Sequence, residues 1–150
     1  MVELVFLVHL GATLAMVGLI WLVQVAQYPL LATVSPAGFK RFHDRYLRVV
    51  TWVVGPFMLV EVGTALVLLE LAPEWFPAPA LWAGVGLVAL IWLSTALLQV
   101  PLHRRLELGG YDVAAIERLV RTNWLRTLAW SARGVLLLWV AAGLLGRVAS

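Results

Sequence analysis

Apolar residues fall into four long blocks, about Leu4 to Ala26, Leu47 to Leu69, Ala80 to Val100 and Trp124 to Leu145. Each is close to the roughly 20 residues a helix needs to cross the hydrocarbon of a bilayer. The pattern predicts four transmembrane helices. Tyr28-Pro29 is expected to end the first and Pro101 the third, because proline lacks an N–H and disfavours helix in the residue before it. Gly55-Pro56 lies inside the second and marks a place for a kink. Two stretches between the blocks are polar on one helical face and apolar on the other. Phe39, Phe42, His43 and Tyr46 recur among Lys40, Arg41, Asp44 and Arg45, after Ser35-Pro36 as cap and first helical residue. Ile116, Leu119 and Val120 follow the Gly109-Gly110 break and Asp112, a capping residue. Both stretches read as short amphipathic helices at the interface. Glu70 to Pro79 carries no positive charge, and its Trp75 and Phe76 suit a membrane–water boundary.

The halves of the chain echo one another. Ile20-Trp21-Leu22 precedes Gln27-Tyr28-Pro29-Leu30, and Ile91-Trp92-Leu93 precedes Gln99-Val100-Pro101-Leu102. Each proline is followed by an amphipathic stretch and then by Leu-Arg-x-x-x-Trp, at Leu47 to Trp52 and at Leu125 to Trp130. The expectation is an all-α membrane protein: one four-helix domain over 1–150, built of two parallel hairpin repeats of about 1–71 and 80–150, with two short cytoplasmic interfacial helices.

Composition agrees with a membrane setting. The 150 residues are 63% hydrophobic and 13% charged, where soluble domains are about half apolar and about a quarter charged. The absence of cysteine excludes disulfides and iron–sulfur ligation. A net charge of +3 raises nucleic acid as a partner, but the basic residues sit beside the spans, where orientation explains them. Lys40, Arg41, Arg45 and Arg48 belong to the first loop and Arg104, Arg105, Arg118 and Arg121 to the third, whereas the middle loop has none. The positive-inside rule puts the basic loops in the cytoplasm and both termini outside. The N-terminus has Glu3 and neither lysine nor arginine before the first block, so that block is expected to remain as a span.

Candidate chemistry comes from polar residues within the blocks, which are costly in lipid and face the interior of a bundle. His9, Thr13, Gln24 and Gln27 share a sector of the first helix, Trp92, Thr95, Gln99 and His103 one of the third, and Arg126, Trp130 and Arg133 one of the fourth. Glu61 is the acid of the second. Arg133 stands roughly 15 Å into its span at 1.5 Å per residue, and a charge at helix centre costs about 2.5–3.5 kcal/mol. Glu61 is its expected counter-charge. The pair fits a structural register lock, a proton relay through His9 and Glu61, or an anion site around Arg133. Nearer the basic loops, Gln27, Gln99, Asn123, Trp52 and Trp130 are candidate ligand-binding residues, the two tryptophans flanking a flat cavity suited to an aromatic or quinone-like molecule. His43 and His103 are the residues suited to haem or a metal, without ligand spacing in the sequence. Phosphate loops, HExxH and nucleophile elbows are absent.

Pro101-Leu102-His103-Arg104-Arg105-Leu106, a helical stretch, and then Asn123-Trp124-Leu125-Arg126-Thr127 resemble the second half of the small four-span proteins grouped with fungal anthrone oxygenases. That resemblance implies a four-helix membrane fold and oxidation of an aromatic substrate. It points to His103, Asn123 and Arg126, although His103 stands where those proteins usually carry asparagine.

Three function classes follow. The leading one binds or oxidises a small aromatic or quinone-like ligand, with His103, Arg126 and Arg133 as catalytic candidates. The second is a proton-coupled transporter using Glu61 and His9, which with so few spans would work as a homo-oligomer. The third is a structural or accessory membrane subunit.

Overall fold

The computed structural model describes residues 1–149. The chain folds as helices α1 (Val2–Leu22), α2 (Tyr28–Leu31), α3 (Pro36–Leu71), α4 (Ala78–Ser94), α5 (Val100–Gly109) and α6 (Val113–Ala149), with π-helical turns at Val23–Gln27 and Thr95–Gln99. The π turns join neighbouring helices end to end, so the chain forms four long rods: Val2–Leu31, Pro36–Leu71, Ala78–Gly109 and Val113–Arg147, each long and apolar enough to cross a membrane. Leu7, Val25, Leu59, Leu66, Leu97, Leu128 and Val135 are among the many large apolar side chains on the outside. In water such a surface would aggregate; in lipid it is the solvated surface.

Neither Pro29 nor Pro101 ends its helix. The Tyr28 N–H bonds the Val23 carbonyl and the Val100 N–H bonds the Thr95 carbonyl, both five residues back. The widened turn relieves the clash a proline ring would make with the carbonyl four residues before it. The two π turns start 72 residues apart, and each ends on a glutamine two residues before its proline. Pro56 lies within α3 without interrupting it.

The two amphipathic stretches do not form separate helices. Residues 36–46 are the first part of α3, and 113–123 the first part of α6. No glycine or proline separates either stretch from the span it precedes, and extending a helix costs far less than starting another. At 36 and 37 residues, α3 and α6 are each about 55 Å long, well beyond the ~30 Å hydrocarbon. The apolar faces of these extensions pack on protein. Phe39 is fully buried, stacked on His43 and edge-on to Tyr111, and lies in one cluster with Ile116, Leu119 and Leu106.

The first rod packs along the second and fourth, and the third along the fourth, while the second and third touch little. Gly134 brings the first and fourth close: a Cβ there would stand 3.1 Å from Val17 Cγ2. Asp112 caps α6, its Oδ1 accepting from the Ala115 N–H at 3.1 Å, while Arg105 Nε donates to its Oδ2 at 2.8 Å. Ser35 is the cap position of α3 without a side-chain cap bond.

Two tests follow from the turns. Ala72 ends α3 in the left-handed region, at φ 36°. Ala72→Gly is expected to stabilise the protein by about 0.5–1 kcal/mol, read as a higher unfolding midpoint in mild detergent. The Ala115 N–H bond, ahead of the Arg105 ion pair, lowers the Asp112 pKa. The cap's contribution is therefore complete above the unfolded-state value, about 3.9, and is lost as pH falls through the lower folded value. Asp112→Asn should flatten that acid-side slope in a pH series of unfolding midpoints.

Candidate functional site

Two polar centres lie inside the bundle. The deeper one is built on Glu61. Its Oε1 accepts from Thr13 Oγ1 at 2.9 Å and from Arg133 Nε at 3.0 Å, and its Oε2 accepts from Trp130 Nε1 at 2.9 Å. Glu61 and Arg133 are each 1% exposed. Arg133 also donates through Nη1 to the Gly84 carbonyl and through Nη2 to His9 Nε2 at 3.1 Å. An arginine N–H only donates, so Nε2 of His9 accepts and Nδ1 carries the ring proton. That proton goes to Thr64 Oγ1 at 2.8 Å, and Thr64 donates to the Val60 carbonyl at 2.6 Å. His9 thus meets Arg133 and Thr64 and does not bond the Glu61 carboxylate directly.

The second centre lies toward the end formed by the 32–35 and 110–112 turns. A cavity of about 480 Å³ opens there between the second and third rods. Met16, Ile20, Val50, Val54 and Met58 give it apolar walls. Tyr28, Tyr46, Thr95, Gln99, His103 and Arg126 supply its polar lining, with Arg104 and Glu107, both exposed, at its mouth. Among adjacent rods the two that flank it touch least, and Thr51 and Val100 on either side are exposed, so the mouth opens on the outer surface of the bundle. Tyr28 Oη and His103 Nε2 are 2.9 Å apart, and His103 Nδ1 and His43 Nε2 are 3.2 Å apart. Tyr46 Oη donates to Gln27 Oε1 at 3.1 Å.

Two of the lining residues each keep a buried polar atom without a hydrogen-bond partner, Arg126 Nε and Gln99 Oε1, set just behind the cavity surface. The two residues are 7% and 2% exposed. The orientation of Gln99 follows from its neighbour. Thr122 gives its proton to the Arg118 carbonyl at 2.7 Å, so its oxygen accepts from Gln99 Nε2 at 3.0 Å and the amide oxygen is left over. Trp130 connects the centres: the Arg126 guanidinium carbon lies 5.3 Å from the centre of its ring, and its N–H reaches Glu61.

The π turns hold the cavity's first and third rods against α6. Gln24 Oε1 accepts from Asn123 Nδ2 at 2.9 Å and Thr127 Oγ1 at 3.2 Å, and its Nε2 donates to the Val120 carbonyl at 3.1 Å. From the other turn, Gln99 bonds Thr122, although the glutamine at its own position in the first turn is Gln27, which meets Tyr46.

Of the residues singled out by sequence, His103, Gln99 and Arg126 come together on the cavity. Arg133, Glu61, His9 and Trp130 form the deeper centre, Trp130 fully buried in it. Asn123 is buried on the Gln24 side, outside the lining. Gln27 stands behind Tyr46. Trp52 is not brought to Trp130: it is 81% exposed on the outer face of α3. Tyr46 and Thr64 went unrecognised as site residues. Thr64 follows Glu61 by three and so shares its face, a signal that was available; Tyr46 was masked by reading residues 36–46 as a separate surface helix. Among the described residues no group of three His, Asp or Glu side chains is arranged to hold a metal, and His43 and His103 turn ring nitrogens toward each other. Comparison with family models, curated proteins and solved structures gave no match.

The deeper centre carries its own test. Removing one member of a buried pair leaves the other charge uncompensated and costs on the order of 3–5 kcal/mol. Glu61→Gln should lower the unfolding midpoint in detergent strongly, and Glu61→Gln with Arg133→Gln should recover part of the loss. Strictly additive losses would show that the two side chains are not energetically coupled.

Proposed function

We propose that this chain is an integral membrane protein that takes a small aromatic molecule of phenol or quinone type from the bilayer into the cavity between its second and third rods. The observation that carries this reading is the pairing of apolar walls with two buried, unpartnered polar atoms of opposite character, Arg126 Nε as donor and Gln99 Oε1 as acceptor. A phenolic oxygen can accept from the Arg126 guanidinium, and a small turn of the Gln99 side chain would bring its amide oxygen to a hydroxyl proton. The volume suits one small molecule, and a few convergent polar groups in an apolar pocket are the usual form of such sites. Oxidation chemistry, which the resemblance to the anthrone-oxygenase group implies, would draw on His103: it lines the cavity and adjoins Tyr28 and His43, a route for a phenolic proton.

We read the basic end as cytoplasmic, because Lys40, Arg41, Arg45, Arg104, Arg105, Arg118 and Arg121 all belong to it. We also read the chain as two parallel hairpins. The matching π turns, which start 72 residues apart and each end on a glutamine two residues before a proline, support that reading beyond the sequence echo.

The test uses the full chain in nanodiscs of zwitterionic lipid, titrated with a short-chain benzoquinone and with its hydroquinone. Saturable binding is expected. The hydroquinone should bind more tightly, because only it can donate to Gln99. Gln99→Leu should weaken the hydroquinone about tenfold, the value of one buried hydrogen bond, and leave the quinone little changed. Val54→Trp, which fills the cavity, should abolish both. Binding unaffected by Val54→Trp would overturn the proposal.

A further inference from the structure

Two arginines are buried on one face of α6, two helical turns apart, and the chain treats them differently. Arg133 meets Glu61 and completes its bonds within the protein. Arg126, 7% exposed, is in no ion pair with a carboxylate among the described residues. What surrounds it is the face of Trp130 and the hydroxyls of Tyr28 and Tyr46. Glu107 shares the cavity but stands exposed at its mouth. Placing a guanidinium in a site screened from water is unfavourable unless an opposite charge or a full set of acceptors meets it. An aromatic face offsets only part of that cost, and Nε has no acceptor. The open volume lies directly beside this arginine.

We infer that the cavity takes its ligand as an anion, a lipid-soluble carboxylate or phenolate whose charged oxygen pairs with Arg126 and whose apolar body lies along Met16, Val54 and Met58 toward the mouth. This inference rests on the cavity being a binding site and specifies the charge of what enters it. The bound anion does for Arg126 what Glu61 does for Arg133. Tyr28 donates to the same oxygen when His103 carries its proton on Nε2, whereas Tyr46 already gives its proton to Gln27, and Gln99 Oε1 keeps no donor of its own.

The experiment compares matched probes on the full chain in zwitterionic nanodiscs: dodecanoate against methyl dodecanoate, an acidic alkyl dichlorophenol against its methyl ether, and dodecyl phosphate as a lipid-like anion. The acid of each of the first two pairs is expected to bind at least tenfold more tightly than its neutral partner. Arg126→Gln should bring the ratio near one, and Arg126→Lys should keep most of it. Dodecyl phosphate binding more tightly than both acids would overturn the assignment to a carboxylate or phenolate in favour of a phospholipid head group. A second readout needs no probe. If Arg126 is uncompensated in the empty protein, Arg126→Met leaves the unfolding midpoint unchanged or raises it, whereas dodecanoate raises that of the wild type. A midpoint lowered by Arg126→Met would show that the chain already satisfies the charge and would overturn the inference. Acids and neutral partners binding equally would overturn it too, while leaving the cavity as a binding site. Failure of every probe, the benzoquinone included, would remove both readings.

Discussion

Burying a carboxylate in the middle of an apolar bundle is tolerable only when a counter-charge and hydrogen-bond donors meet it, and that requirement organises this molecule. Glu61 on α3 draws Thr13 from α1 and both Trp130 and Arg133 from α6. Arg133 then extends to the Gly84 carbonyl on α4 and to His9 on α1. One acid and one base thereby join all four rods at a single depth. Apolar packing between helices in lipid is weakly directional, since lipid tails are as apolar as the side chains they would replace. The polar junction sets rotation and register where hydrophobicity cannot. The junction is a fixed point of the bundle, with His9 tied between a donor, Arg133, and an acceptor, Thr64.

The cavity is the counterpart of that fixed point. The rods are anchored together at the depth of Glu61, and nearer the basic end the second and third leave a space between them, closed beyond it by the His43–His103 contact. Trp130 lies across the boundary, bonded to Glu61 on one side and stacked under Arg126 on the other. A change in what Arg126 binds therefore falls directly on a side chain that helps hold the bundle's centre. The π turns serve the same region. By carrying the first and third rods past their prolines they extend both helices, and the third thereby brings His103 to Tyr28 at the cavity's polar end.

Much of this was legible in the chain. The four spans followed from block length, and the Glu61–Arg133 pairing from the cost of isolated charge at depth. The stripe of Gln99 and His103 and the stripe of Arg126, Trp130 and Arg133 followed from helical periodicity. Three readings went differently for physical reasons. Prolines at 29 and 101 were expected to stop helices, yet a turn with five-residue hydrogen bonds accommodates them, and that rearrangement leaves no composition signal. The amphipathic stretches were separated from their spans because charge marks the edge of the bilayer; a helix has no cause to end there without a breaker. Trp52 was grouped with Trp130 through the shared Leu-Arg-x-x-x-Trp motif, but a motif fixes position along a helix and not which way the helix is turned.

The sequence by itself determined that the chain is helical, that four rods are long and apolar enough to cross a bilayer, and which charges cannot stand alone inside them. Those are consequences of residue type and spacing, local along the chain. Depth along the chain already pointed to Arg133 as the partner of the acid; only the tertiary structure decided what Arg126 is left beside. Arg126 and Arg133 lie on the same face of α6, and Glu61 reaches just one of them, because the depth at which α3 meets α6 is set by packing across the bundle. The arginine left without a carboxylate is the one beside open space.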